Sequence, residues 1–176
     1  MTPGDGDEAF DALVSSEREG LFRYFFWTLR DRDEALDAVQ ETLLRAYRGL
    51  PGLRDPGSAR NWLYVIASNV AKRFRSRRSR TPRTLGGAAP DDAEVALQGP
   101  GEPSPDANLE SEETRARLSD ALAELEPELR EPLLLFAVSG FKYREIAEVL
   151  GWPIGTVTTR IHVARERLAA KLRRRS

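Results

Sequence analysis

The sequence predicts an all-α protein, two small helical domains joined by a flexible acidic linker, and three of its features lead there. Apolar residues recur at steps of three and four through both ends of the chain, with no alternating strand pattern between them. From Thr81 to about Asn108 the chain reads TPRTLGGAAPDDAEVALQGPGEPSPDAN, rich in Pro, Gly, Ala and acid and without an aromatic residue or a periodic apolar face. Structureless loops beyond roughly 15 residues are uncommon inside compact domains, so this stretch reads as a linker that is mostly disordered when free. The expected division is a first domain over 7–80, a linker over 81–110 and a second domain over 111–174. Charge supplies the third feature. Residues 1–56 hold 7 Lys/Arg and 12 Asp/Glu, 57–90 hold 8 and none, 91–131 hold 3 and 13, and 132–176 hold 9 and 3. A net charge of −1 therefore conceals two basic blocks, each in a helical pattern, as expected of a protein that touches a polyanion twice.

In the first domain a helix is expected from about Asp7 to Leu29, carrying Phe10, Leu13, Leu21, Phe22, Phe25 and Phe26. Asp31 then opens DRDE, an acidic cap with Glu three positions on, and a second helix runs to Leu50 before Pro51 and Gly52. Within it Leu36, Val39, Leu43, Tyr47 and Leu50 are expected to face the core. Asp37, Gln40, Glu41, Leu44 and Arg48 fall on a second stripe, where an exposed Leu between an amide, acids and an arginine suits partner docking. A third helix, capped by Ser58, runs through ARNWLYVIASNVAKRFRSRRS. Trp62, Leu63, Ile66, Ala67, Val70 and Phe74 gather on one side. Asn61, Tyr64, Ser68, Lys72 and Arg75 take the other, with Asn69 and Arg73 at its edge. Cations neutralise phosphate, amides pair with base edges and rings stack on unpaired bases, so this face suits nucleic acid. No acid lies between Gly57 and Pro90 to neutralise its cations.

In the second domain Leu118, Leu122 and Leu125 mark one short helix, and Pro127 opens the next, which carries Leu129, Leu133, Leu134 and Ala137 until Gly140. The stretch FKYREIAEVLGWPIGTVTTRIHVARERL follows. Ile146, Ala147 and Leu150 line a scaffold helix, Gly151 makes the turn, and Pro153 opens a helix whose Val157, Ile161, Ala164 and Leu168 point inward. That is a helix-turn-helix pattern, and Thr158, Thr159, His162 and Val163 are the outward residues placed to meet base edges in a major groove.

Composition narrows the function. With one His and no Cys, thiolate zinc sites and disulfides are excluded, and no metal or cofactor site is expected. No apolar run approaches the roughly 18 residues of a membrane span, and the N-terminus is acidic and polar, unlike a secretory signal. A soluble, cytoplasmic protein is expected, with no membrane partner and no small-molecule substrate. There is no glycine loop for phosphate and no nucleophile beside His162, so no catalytic residue is expected and the chain is read as not an enzyme.

DAVQETLLRAYRGL, NWLYVIASNVAKRFR and YREIAEVLGWPIGTVTTRIHVARERL, in this order with a linker between the second and third, resemble the sigma-70 family of bacterial RNA polymerase sigma factors, specifically the two-domain extracytoplasmic-function (ECF) group. The resemblance covers about Phe10 to Arg80 and Leu118 to Leu172. It implies a sigma-2 type bundle and a sigma-4 type helix-turn-helix, which together bind core polymerase, recognise and help open a promoter, and carry no active site. On the matching positions, Asp37, Gln40, Glu41, Leu44 and Arg48 are implied to meet the beta-prime clamp helices. Asn61, Tyr64, Ser68, Asn69, Lys72, Arg73 and Arg75 are implied to engage the minus-ten element, where a flipped base costs a few kcal/mol of unstacking. Tyr143, Thr158, Thr159, Arg160, His162, Val163 and Arg165 are implied at the minus-thirty-five element, with Tyr143, Arg160 and Arg165 as phosphate or framework positions. The beta flap and an anti-sigma factor are further implied partners, and the linker is implied to thread the polymerase channel. Lys142 stands where the family often has a capping Ser or Thr. Thr158 and Val163 stand where basic residues are frequent, which leaves methyl contacts to thymine and weak hydroxyl bonds for readout. The alternative reading is a stand-alone helix-turn-helix repressor or activator, which would need a dimerisation surface to read two half-sites.

Overall fold

The computed structural model describes residues 3–53, 55–80 and 107–174, with side chains from Glu8 onward in the first helix and from Glu113 onward in the fourth. In chain order the helices are α1 (Pro3–Leu29), α2 (Arg32–Gly49), α3 (Ala59–Arg80), α4 (Ala107–Ala123), α5 (Pro127–Ala137), α6 (Tyr143–Leu150) and α7 (Ile154–Arg174), with short 3-10 turns at Leu50–Gly52 and Pro56–Ser58. No strand occurs among the described residues. Most of the expected linker, 81–106, lies outside them, and α4 begins at Ala107, before the linker's expected end at residue 110.

Local chemistry sets the helix ends. The Asp31 carboxylate accepts the Glu34 N–H at 2.9 Å, so the expected N-cap of α2 is present. Ser58 does not cap α3: its hydroxyl donates to the Asp55 carbonyl at 2.9 Å and so closes the preceding turn. At α6 the Glu145 carboxylate accepts the Lys142 N–H at 2.7 Å, which supplies half of a capping box although Lys142 has no side-chain acceptor. Gly151 ends that helix at φ 67°, where a residue with a Cβ is strained, and the Trp152 N–H returns to the Ala147 carbonyl.

Helices α1 to α3 pack around Leu21, Phe25, Ala35, Ala38, Val39, Ala46, Leu63, Ala67, Val70 and Phe74. The face of α2 turned inward is Ala35, Ala38, Val39, Thr42 and Ala46. This corrects the expected core stripe: Leu36 and Tyr47 are 42% and 54% exposed, because close packing on α1 and α3 takes the alanines and turns the larger residues out. Thr42 is tolerated inside because its hydroxyl donates to the Ala38 carbonyl at 2.7 Å.

Helices α4 to α7 pack around Leu122, Leu125, Leu133, Leu134, Ile146, Val149, Leu150, Val157, Ile161 and Ala164. The expected inner residues of the helix-turn-helix are buried at Ile146, Leu150, Val157, Ile161 and Ala164. In α5, by contrast, Ala137 is exposed and burial runs unbroken from Arg130 to Leu135.

The two halves are not separate bodies. Their buried residues form one continuous cluster, with α1 packed on α5 and α3 packed on α6. The reason is legible in α1, where every residue from Tyr24 to Leu29 is buried. A helix apolar on all sides must be covered on all sides, and α5 covers what α2 and α3 leave open.

Candidate nucleic-acid interface

Three surfaces carry the predicted residues. On α2, Asp37, Gln40, Leu44 and Arg48 are exposed, Leu44 by 50%, and the outward Leu36 and Tyr47 widen this stripe into an apolar strip with polar flanks. Glu41 is the exception. Half-buried, it accepts Arg45 at 2.7 Å and Arg73 of α3 at 2.6 Å, so it ties the exposed strip of α2 to α3. Beside the stripe, Ser15, Arg18, Phe22, Leu36, Val39 and Gln40 line a shallow groove between α1 and α2.

The α3 face divides. Asn69, Lys72 and Arg73 are exposed, and Lys72 and Arg73 border a concave basic patch continued by Ser76, Arg77 and Arg80. Asn61, Tyr64, Ser68 and Arg75, by contrast, face the second half of the chain. The Asn61 amide donates to Glu148 at 2.8 Å. Tyr64 is fully buried, its ring 4.7 Å from Phe141 and 5.9 Å from Tyr24. Ser68, 1% exposed, donates to Glu131 at 2.6 Å, and Arg75 pairs with the same carboxylate at 3.2 Å. The sequence expectation of one solvent-facing stripe is therefore corrected for Tyr64, Ser68 and Arg75, which α5 and the segment before α6 cover. Burial pushes the Tyr64 hydroxyl up to about 12. Burial, reinforced by the Glu131 charge, raises Tyr24 well above the usual tyrosine value.

The cations of α3 are also less free than local sequence suggests. Arg60 meets Glu17 at 2.8 Å, Arg73 meets Glu41, Arg75 meets Glu131, and Arg78 meets Glu34 at 2.8 Å. Each acid comes from another element, so a segment without acids is neutralised through space. Arg130, buried beside Arg75 and Arg30, has its pKa lowered, first by desolvation and then by those two charges.

On α7, Thr159, His162 and Arg165 are exposed, and Val163 is half-buried. His162 lies 3.4 Å from Glu166 one turn on. Thr158 is exposed, but its hydroxyl donates to the Ile154 carbonyl at 3.0 Å, leaving its methyl as the more available contact. Arg160 packs on its own half: its guanidinium lies 4.2 Å from the Trp152 ring centre and 3.4 Å from Glu128. Tyr143 packs edge-on against Phe136 at 5.3 Å. Farther along, Arg167 reaches both oxygens of Glu126 at 2.7 and 2.6 Å, while Lys171 pairs with Glu124. The backbone N–H at Glu126, and then the Arg167 contact, hold the Glu126 carboxyl below its usual value.

Sequence reasoning missed Tyr24 and Glu131, both buried where the halves meet. The signal for Tyr24 was the all-round apolar run of α1. Glu131 gave none, because an acid in an acidic segment reads as surface.

Among the described residues no group of three or more His, Cys, Asp and Glu is placed to hold a metal ion, and no helix is long and apolar enough to cross a membrane.

Comparison with known proteins accounts for both halves. Residues 13–81 match the family profile "Sigma-70 region 2" and residues 115–168 match "Sigma-70, region 4". The chain is 35% identical over 168 residues to the probable RNA polymerase sigma-C factor of Mycobacterium bovis, covering 95% of this chain and 84% of that protein. It is 34% identical over 166 residues to the RNA polymerase sigma-H factor of Pseudomonas aeruginosa, covering 92% and 85%. Among solved structures, CnrH in complex with the cytosolic domain of CnrY superposes with a TM-score of 0.71 at 27% identity, over 97% of this chain and 91% of that one. The fold is also shared with the sigma factor RpoE, solved with the anti-sigma factor NepR from Bartonella quintana, at a TM-score of 0.64 and 23% identity over 93% and 96% of the two chains. With both regions matched in order and these relatives matched over at least 84% of their length, the chain belongs to the sigma-70 family, in its extracytoplasmic-function group, and is an RNA polymerase sigma factor that directs core polymerase to promoters.

Proposed function

We propose that this sigma factor works as a non-catalytic cytoplasmic subunit through three surfaces. The α2 strip of Leu36, Asp37, Gln40, Glu41, Leu44 and Arg48 docks on core polymerase. The α3 face around the exposed Asn69, Lys72 and Arg73 engages the minus-ten element. Thr158, Thr159, His162 and Val163 of α7 read the minus-thirty-five element, with Tyr143, Arg160 and Arg165 as support. The observation that carries this reading is the exposed apolar strip on α2, placed on the same bundle as the basic patch of α3 and tied to it through Glu41 and Arg73. A protein dedicated to DNA alone has no need of large apolar residues there.

A stand-alone regulator is set aside by the relation to sigma factors, which are matched over 84% and 85% of their own length. The solved complex of CnrH with the cytosolic domain of CnrY supports a regulatory protein partner for this chain as well, and an anti-sigma factor is the class proposed. The domain division over 7–80 and 111–174 is supported by matches to the family over 13–81 and 115–168. Selecting promoters from a random library with reconstituted holoenzyme tests the reading: a conserved pair of elements should emerge, and substituting Thr159 and His162 should change only the upstream one. Enrichment of a palindrome independent of core polymerase would overturn it.

A further inference from the structure

Four arginines gather where the end of α1, the last turns of α3 and the start of α5 meet. Arg75 reaches Glu131 of α5 at 3.2 Å, Arg78 donates to the Leu29 carbonyl at the end of α1, and Arg30 follows Leu29 directly. Arg130 stands beside Glu131, and Arg75, Arg30 and Arg78 each lower its pKa, so the four guanidiniums share one neighbourhood.

Three of them have an acid of their own. Arg75 has Glu131, Arg30 has Asp120 of α4 at 3.1 Å, and Arg78 has Glu34 at 2.8 Å. Arg130 has none: it is 9% exposed, and among the described residues no acid or other acceptor meets its guanidinium. The Glu131 carboxylate is turned to Tyr24, Ser68 and Arg75 instead. Arginine does not shed its proton in proteins, so this buried cation bears the full cost of lacking a counter-ion. Arg30 carries a second mark. Among the described residues it alone, glycines aside, has a left-handed backbone, at φ 55°. Glycine is usual where a helix ends this way and a side chain is strained there, yet an arginine holds the position and turns to the second half of the chain.

We propose that Arg130 and Arg30 bind a small phosphate-bearing anion at this meeting point, with Arg75 and Arg78 strengthening the positive field around it. A phosphate monoester carries about −1.5 to −2 charges at pH 7 and presents several acceptor oxygens on a compact group, which suits two guanidinium forks. The two contacts come from opposite halves of the chain, so the anion binds where α1 and α5 are packed together and its binding free energy adds to that packing. Neither arginine belongs to the surfaces assigned to promoter or polymerase, so the site stands whether or not those assignments hold.

Calorimetric titration of the full chain with orthophosphate, in chloride buffer at constant ionic strength, tests the site, with adenosine 5′-monophosphate as a second probe. The unsubstituted chain should bind orthophosphate saturably. Arg130→Gln should weaken binding about tenfold or more, the scale of a lost hydrogen bond to a charged group. Arg30→Asn, at an exposed position and with a residue that tolerates the left-handed backbone, should weaken it about threefold or more. Tighter binding of the nucleotide than of orthophosphate identifies a phosphorylated metabolite as the source, and equal or weaker binding identifies the free anion; either result supports the site.

Melting curves separate a ligand site from a structural role. Without phosphate, Arg130→Gln should melt no lower than its parent, because it removes a buried charge that has no partner. At orthophosphate about 100-fold above the parent's dissociation constant, the parent's unfolding constant should fall about 100-fold and the variant's about tenfold or less. Absence of saturable binding by either probe, affinity unchanged in Arg130→Gln or in Arg30→Asn, or a lower melting temperature of Arg130→Gln before phosphate is added would each overturn the site. Stabilisation by phosphate of the same size in parent and variants is a general salt effect and would also overturn it.

Discussion

The Arg60 guanidinium lies 4.0 Å from the centre of the Phe141 ring, which stacks a cation of α3 on the residue that leads into the helix-turn-helix. Its Nη2 donates to the Ser139 carbonyl at 2.5 Å and its Nε to Glu17 at 2.8 Å, so one side chain joins α1, α3 and the turn before α6.

Phe141 is 1% exposed and also meets Tyr64, so Phe141→Ala should destabilise the closed chain by about 3–5 kcal/mol, the usual cost of emptying a large aromatic site. Arg60→Ala should cost less, about 1–2 kcal/mol, for the lost cation–π and hydrogen-bond contacts. Denaturant midpoints check both, and equal losses for the two variants would contradict the assignment of the ring as the anchor.

On α2, Leu36→Ala and Leu44→Ala remove exposed side chains, so thermal stability should shift by no more than about 0.5 kcal/mol. Affinity for core polymerase should fall roughly tenfold or more, the scale of an interface anchor. Gln40→Ala should behave like the leucines. Glu41→Ala should not, because it also releases Arg73 and Arg45; it should lose core affinity and alter salt-dependent DNA binding together. Surface-captured core polymerase, assayed with each variant, distinguishes these patterns.

On α7 the outward residues separate by role. Thr159→Ala and His162→Ala should change minus-thirty-five preference and leave the melting temperature unchanged. Arg160→Ala strips the cation from the Trp152 face and from Glu128, and should destabilise the second half by about 1 kcal/mol. Melting curves combined with promoter selection check the division. A loss of preference without a loss of stability in the Arg160 variant would make it a reader instead of a support.

Alkaline pH offers a test of the seam. Tyr24 and Tyr64 are neutral when protonated, and both have folded pKa values raised by burial above the ordinary value of 10.0. Their contribution to stability is therefore complete below pH 10 and is lost as pH rises from there through the folded value, which for Tyr64 is about 12. Each tyrosine should cost up to about 1.4 kcal/mol per pH unit within that window. Tyr64→Phe should flatten the decline between about pH 10 and 11 in denaturation curves, and a decline of undiminished steepness would refute the link to Tyr64.

Much of this protein was readable along the chain. The Asp31 cap, the Gly151 turn, the inward row Ile146, Leu150, Val157, Ile161 and Ala164, and the outward Thr159 and His162 follow from local rules of capping and helical periodicity, which act over a few residues. Leu36 and Tyr47 were misplaced because periodicity weighs size and apolarity, whereas helices in close contact select small residues such as Ala35, Ala38 and Ala46. Ser58 was misplaced because the turn Pro56–Ser58 runs straight into the helix, and its hydroxyl donates to the Asp55 carbonyl instead of accepting from a helix N–H.

Sequence alone was enough for the order of helices, the helix-turn-helix and the alternation of basic and acidic blocks, since each depends on neighbours within a turn or on simple counts. Only the tertiary structure decided which charges are spent. Arg60, Arg73, Arg75 and Arg78 look unopposed in their own segment, yet Glu17, Glu41, Glu131 and Glu34 reach them from other helices. Coulomb attraction and hydrogen bonding depend on distance in space, and a separation of 56 residues between Arg75 and Glu131 becomes 3.2 Å once α5 packs across α1 and α3.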